Sequence, residues 1–253
     1  MADKVDVGFI HACNWDKHLD EAEPFIKCGT PVMIDKPIVG SVKDIKRLRK
    51  LVRDGAKILG ASSARYADEV QEFLKRPIEE RGKIVSIFGT CGVDEFNYGI
   101  HIVEIFSELA GAKGINCRFD GCSEDIDGHK CEMYKNGALG IIQETTSVNP
   151  GYPRIIEISG TNGTIVMQED TIVRWDLNGK ELDPSEIKTS NYGGAKNPWD
   201  ITAKYHTLQI KDLIDAIHED RRPMCDIYEG KKPVDIILAA YESNRTGQRV
   251  YLD

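Results

Sequence analysis

Over the first sixty residues, short apolar runs alternate with amphipathic stretches. Residues 5–10 (Val-Asp-Val-Gly-Phe-Ile), the run Val32-Met33-Ile34 and residues 58–62 (Ile-Leu-Gly-Ala-Ser) read as short strands buried on both faces. Between the first two, residues 16–27 have helical character, with Gly29 as a C-terminal stop. Ile45, Leu48, Leu51 and Val52 give the next helix an apolar stripe. Ser41 and Asp44 resemble a capping box at its start, and Gly55 closes it. Strand, helix, strand, helix, strand with helical crossovers predicts a parallel sheet.

Beyond residue 66 the pattern changes. A helix over 67–76 leads to a strand over 84–90, then to a helix running through Leu109 and stopped near Gly111. Strand-like runs follow at 131–134, 139–146, 155–159, 164–167 and 171–175. Asn136-Gly137, Asn162-Gly163 and Asn178-Gly179 punctuate them. Asn-Gly between strand-like runs is a hairpin signal, because both residues tolerate positive φ. The expectation is a mainly antiparallel sheet. Residues 180–200, rich in Gly, Asn, Lys and Pro, read as a long connection, either a plain surface loop or a loop over a site. Helices over 203–218 and 228–244 and a strand over 249–252 complete the chain. The expected fold class is therefore α/β plus α+β, a small parallel sheet (residues 1–65) followed by a large, mainly antiparallel sheet flanked by helices (residues 66–253).

Composition narrows the partners. A net charge of -8 argues against a general nucleic-acid or anionic-membrane binder. No apolar run approaches the ~20 residues that span a bilayer. The N-terminus lacks a signal-peptide layout, so the expected location is the cytoplasm. The seven cysteines form no C-x-x-C pair, and an odd count suits reduced thiols. Cys122, His129 and Cys131 come nearest to a metal cluster, but their spacing matches no usual zinc pattern, and no metal is expected.

Candidate chemistry begins at Asp35-Lys36-Pro37. Pro37 cannot donate to a ladder and pushes Lys36 out of the helical region, so the strand stops there. Lys36 then lies at the carboxyl end of a parallel strand, where open α/β sheets bind ligands. On this stretch alone it reads as a surface lysine.

Several motifs, taken in order, resemble the glucose–fructose oxidoreductase / inositol dehydrogenase family (Gfo/Idh/MocA). Residues 5–10 with Asn14 and His18 resemble its fourth Rossmann strand and Asn-x-x-x-His turn. Asp35-Lys36-Pro37 resembles its Glu-Lys-Pro. Arg65-Tyr66 resembles the arginine before its crossover helix. Asn97, Gly99, His101 and Glu104 follow its Asp-x-Gly-x-His-x-x-Asp. Residues 157–166, 206–216 and 241–250 extend the likeness over nearly the whole chain.

The departures are specific. No Gly-x-Gly-x-x-Gly turn, the family's pyrophosphate cradle, occurs in the sequence. The likeness starts at the family's fourth strand, which leaves on the order of 60–70 residues of its nucleotide domain without a counterpart and makes the expected Rossmann sheet partial and N-terminally truncated. Asp35 replaces Glu, Asn97 and Glu104 replace Asp, and Cys13 stands where proline is common.

The resemblance implies an NAD- or NADP-dependent oxidoreductase moving a hydride between nicotinamide and a sugar or polyol carbon. It implies catalytic roles for Lys36 and His101, cofactor contacts from Asn14, His18, Asp35, Lys36, Pro37 and Arg65, and substrate contacts from Lys36, Asn97 and His101. Histidine suits the hydroxyl proton because its pKa lies near operating pH. A lysine cation stabilises charge building on the reacting oxygen. Each has a plainer reading. His101 is then a satisfied histidine at a domain seam, Lys36 an ion-paired lysine, Asn14 and His18 a turn asparagine and a helix-face histidine, and Arg65 a solvated helix-start arginine. His206 has no derived role beyond helix packing. The competing function is a non-catalytic relative that binds a carbohydrate or a protein. Residues 5–10 would form an exposed apolar edge needing a covering contact, and relatives pair through the broad sheet, so a homodimer or homotetramer is expected.

Overall fold

The computed structural model describes residues 2–92, 95–121, 128–145, 155–168, 171–182 and 198–252. Strands β1 (Gly8–Ile10), β2 (Val32–Ile34) and β3 (Ile58–Gly60) form a parallel sheet in the order β1-β2-β3, with Gly8 opposite Val32 and Val32 opposite Ile58. Helices α1 (His18–Lys27) and α2 (Val42–Arg53) are the crossovers. All three residues of β2 are buried, as a strand covered on both faces requires. The strands are shorter than the apolar runs predicted. Residues 5–7 lie outside β1, and Ala61 and Ser62 leave β3 for a 3-10 turn, Ser63–Tyr66. Ser41 caps α2 as expected, accepting from Asp44 N at 3.1 Å. The Asp44 carboxylate accepts the Ser41 hydroxyl at 2.7 Å.

Helices α3 (Asp68–Lys75) and α4 (Ile78–Arg81) lead into β4 (Ile84–Gly92). A π-helical turn, Glu95–Gly99, opens α5 (Ile100–Ala110). Then come β5 (Gly114–Gly121), β6 (Gly128–Tyr134), β7 (Leu139–Thr145), β8 (Ile155–Gly160), β9 (Gly163–Gln168), β10 (Thr171–Trp175) and β11 (Glu181–Leu182). Helices α6 (Pro198–His218) and α7 (Ile227–Thr246) and strand β12 (Val250–Tyr251) follow. The second sheet has nine strands in the order β11-β10-β9-β8-β4-β7-β6-β5-β12. Every neighbouring pair is antiparallel except β4 and β7. Strands β5 and β11 had no separate counterpart in the sequence pattern.

Helix α5 crosses the large sheet at close range. A Cβ at Gly89 of β4 would come within 2.9 Å of Ile102, and one at Gly140 of β7 within 2.8 Å of Phe106. The glycines thus let the helix bury Ile102, Val103, Phe106 and Leu109 against the strands. One apolar cluster runs from Ile34 and Leu48 through Val70 and Phe73 to Ile87, Phe106 and Ile237, so both sheets share a core.

All three Asn-Gly pairs turn hairpins, but only the glycines carry positive φ. The asparagines instead use their side chains: Asn136 donates to Ala110 O at 2.7 Å, and Asn162 to Glu79 O at 2.8 Å. Among the described residues no helix is long and apolar enough to cross a membrane. Most of the long polar connection (residues 183–197) lies outside the described residues, as does Cys122 of the weak metal candidate.

Helix α7 meets β3 at a single tight point, where a Cβ on Gly230 would lie 2.1 Å from Gly60 O. Backbone must move to admit it. We expect Gly230→Ala to lower stability by about 1–3 kcal/mol, read from the urea midpoint at unchanged slope.

Candidate functional site

The first wall forms where β2 ends. Asp35 N extends the ladder to Ile10 O at 2.9 Å, and the Asp35 carboxylate turns back to accept Lys36 N at 2.7 Å. The Lys36–Pro37 peptide is cis. Pro37 is buried, and Lys36 and Asp35 are partly exposed.

Behind this wall stands His18. It is 1% exposed, with Nδ1 3.0 Å from Pro37 O and Nε2 2.8 Å from Ala12 O. Both partners are backbone acceptors, so the ring ties the turn after β1 to the turn after β2. His18 thus braces the wall from within. Asn14 is exposed, and its side chain accepts Asp16 N at 3.1 Å, capping a 3-10 turn.

The second wall is the π-helical turn and the start of α5. Lys36 Nζ donates to Asn97 O and to Asn97 Oδ1, each at 2.7 Å. It also sits 4.9 Å from the Tyr98 ring centroid. The His101 ring approaches the same tyrosine edge-on, with centroids 5.9 Å apart. On its other side, His101 Nδ1 lies 2.5 Å from Ser62 Oγ. The fold thus brings Lys36 together with Asn97 and His101, 61 and 65 residues further along the chain, around one tyrosine. His206 on α6 joins them electrostatically. His206 is exposed, yet partial desolvation holds its pKa below the usual histidine value; Asp35 opposes this, while His11 and Lys36 add to it. His11 Nδ1 lies 3.6 Å from Asp35 Oδ2.

Arg65 is not the solvated helix-start arginine of the plainer reading: its side chain is fully buried. Nε donates to Glu104 at 2.6 Å, and Nη1 pairs with Glu108 and, at 3.3 Å, with Glu229. Burial works against its charge, but the carboxylates prevail and hold its pKa above the ordinary value. The same burial pushes Glu104 up to about 7, with Arg65 opposing and Glu108 and Glu229 reinforcing. Nearby, Tyr66 donates to Asp212 of α6 at 2.8 Å, and burial raises the Cys225 thiol well above its usual range. Such a thiol is packing, not a nucleophile.

Sequence reasoning missed Ser62 and Tyr98. Ser62 resembled the end of a strand, and only its place two residues before a helical turn hinted at a cap. Asp35 and Lys36 lie at the carboxyl edge of the parallel sheet, where open α/β sheets bind ligands. With no Gly-x-Gly-x-x-Gly in the sequence, no residue is assigned to a pyrophosphate. Among the described residues no group of side chains could hold a metal ion.

The buried cluster yields two expectations. Arg65→Met leaves three carboxylates around an apolar side chain and should cost about 3–5 kcal/mol in urea unfolding at pH 7. Glu104 binds its proton more tightly folded than unfolded. Its contribution is therefore fully present below about pH 4.5 and is lost as pH rises through about 7. Urea midpoints should fall from pH 5 to pH 8 in the parent and fall less in Glu104→Gln.

No family profile matches the chain, and no curated protein sequence matches it. Solved structures do. An oxidoreductase from Agrobacterium radiobacter, in complex with NAD+, L-tartaric acid and magnesium, matches 98% of this chain and 80% of its own at a TM-score of 0.79 and 19% identity. The WlbA dehydrogenase from Bordetella pertussis, in complex with NADH and UDP-GlcNAcA, matches 99% of this chain and 80% of its own at 0.80 and 20% identity. An NAD binding oxidoreductase from Klebsiella pneumoniae matches 100% of this chain and 81% of its own at 0.80 and 17% identity. At these identities the likeness lies in the backbone: the chain has the fold of the Gfo/Idh/MocA-type NAD-binding oxidoreductases.

Proposed function

We propose that this protein is an oxidoreductase that moves a hydride between a nicotinamide cofactor, NAD or NADP, and a hydroxyl-bearing carbon of a sugar or polyol. The observation that carries the reading is the meeting of Lys36 and His101 around Tyr98. A bound nicotinamide supplies the redox chemistry. The chain's own groups manage the oxygen. Lys36 donates to two acceptors on Asn97, which fix the position of the ammonium. From there it stabilises negative charge building on the substrate oxygen. His101 handles the hydroxyl proton, and Asp35 orients Lys36 through its backbone. The neighbours' complexes with NAD+ and with NADH and UDP-GlcNAcA support the cofactor class and a sugar-derived substrate.

The second reading is a relative without catalysis that binds a carbohydrate or a protein. Titration with NADH and NADPH separates the two. A saturable change in nicotinamide fluorescence supports the dehydrogenase; no response from either cofactor overturns it for this chain. With turnover in hand, Lys36→Met should lower kcat by on the order of 10²-fold. His101→Ala should lower it by roughly 10²- to 10⁴-fold.

The reading includes self-assembly. Val5 and Phe9 are 42% and 43% exposed beside the open edge of β1, and Val85 and Met133 are exposed on the large sheet. Light scattering is expected to give a homodimer or homotetramer, and a monomer would count against this part of the proposal.

A further inference from the structure

We propose that Ser62 is a positioning residue that sets the tautomer of His101, keeping Nδ1 as an acceptor and the proton on Nε2. Ser62 is 0% exposed, so its hydroxyl must be satisfied within the protein. Among the described residues its Oγ has two partners, Ala64 N at 3.0 Å and His101 Nδ1 at 2.5 Å. The Ala64 N–H can only donate, so it takes a lone pair of Oγ. The hydroxyl hydrogen then needs an acceptor, and Nδ1 is the one in reach. Were Nδ1 to carry the proton, Oγ would accept twice and its own hydrogen would be buried without a partner.

The arrangement is braced. Ser62 caps the 3-10 turn Ser63–Tyr66, and Arg65 in that turn binds Glu104, one turn along α5 from His101. Ser62–His101 and Arg65–Glu104 therefore link the same two elements at the same spacing, three residues apart on each. Two links fix both the distance and the rotation of α5 against the turn, so the turn and His101 cannot separate without moving the buried arginine.

The tautomer does not depend on the proposed reaction.

The test is long-range proton–nitrogen correlation NMR on the full chain labelled with 15N-histidine, without ligand, at pH 8, with His101→Gln assigning the ring signals. The expected pattern for His101 is protonated Nε2 and unprotonated Nδ1. Ser62→Ala should move both ring nitrogens toward averaged values, and Ser62→Thr, which keeps the hydroxyl, should restore them. A protonated Nδ1 in the parent overturns the proposal. So do unchanged ring shifts in a Ser62→Ala protein whose circular dichroism matches the parent. If Ser62→Ala fails to fold, the parent spectrum and Ser62→Thr decide. Turnover is a separate readout. Where it is present, Ser62→Ala should lower kcat by about tenfold with cofactor affinity unchanged. Absent turnover with the expected spectrum sinks the hydride-transfer reading and leaves the tautomer standing.

Discussion

A single buried guanidinium holds this protein's two sheets in register. Arg65 leaves β3 on a short turn and enters a space where α5 and α7 present Glu104, Glu108 and Glu229. Burying Arg65 and Glu104 is tolerable only because they face one another, with the partly exposed Glu108 and Glu229 at the edge of the cluster. Once they do, α5 and α7 cannot slide relative to β3 without stranding a charge. Lys232, bonded to Glu229 at 2.7 Å, adds a second cation at the rim. Burial is the main reason that the Glu104 carboxyl is pushed up to about 7, and the Glu108 and Glu229 carboxylates add to it.

The candidate site follows from that clamp. Lys36 belongs to the small parallel sheet and His101 to the helix across the large one, so their meeting depends on how the two parts dock. Three links set the docking: Arg65 to Glu104, Ser62 to His101, and Lys36 to Asn97. Gly89 and Gly140 let α5 approach the large sheet, and the contact of Gly230 with Gly60 brings α7 onto β3. Buried His18 keeps the turn bearing Lys36 in shape from the opposite side. The site is thus a seam whose residues face inward because packing on both sides leaves them no other direction.

Much of the fold was legible from periodicity. The buried run Val32-Met33-Ile34, the stripe Ile45, Leu48, Leu51, Val52 and the glycines after the helices all become what their spacing implies. Strand β5 was less legible because its run, Gly-Ile-Asn-Cys-Arg-Phe-Asp-Gly, mixes polar residues into a strand flanked by β6 and β12. Lys36 and His101 could be singled out from motif and position. His18 and Arg65 could be noticed in the same way, but not understood. A histidine or arginine near a strand end reads as exposed unless something covers it, and the covering groups lie in distant elements: Pro37 and Ile38 for His18, Glu104, Glu108 and Glu229 for Arg65.

Apart from α4, β5 and β11, the sequence by itself determined the order of elements, the change from a parallel to a mainly antiparallel sheet, and the presence of a lysine at a strand end and a histidine near a helix start. These are local properties, set by side-chain period, turn residues and the geometry of proline. Tertiary structure alone decided which charges are buried, that Asn97 holds Lys36, and that a serine after β3 meets the histidine of α5. Those outcomes depend on contacts across tens of residues, where the sign of an interaction depends on what else is packed around it. No spacing along the chain encodes that, because burial is a property of the assembled core.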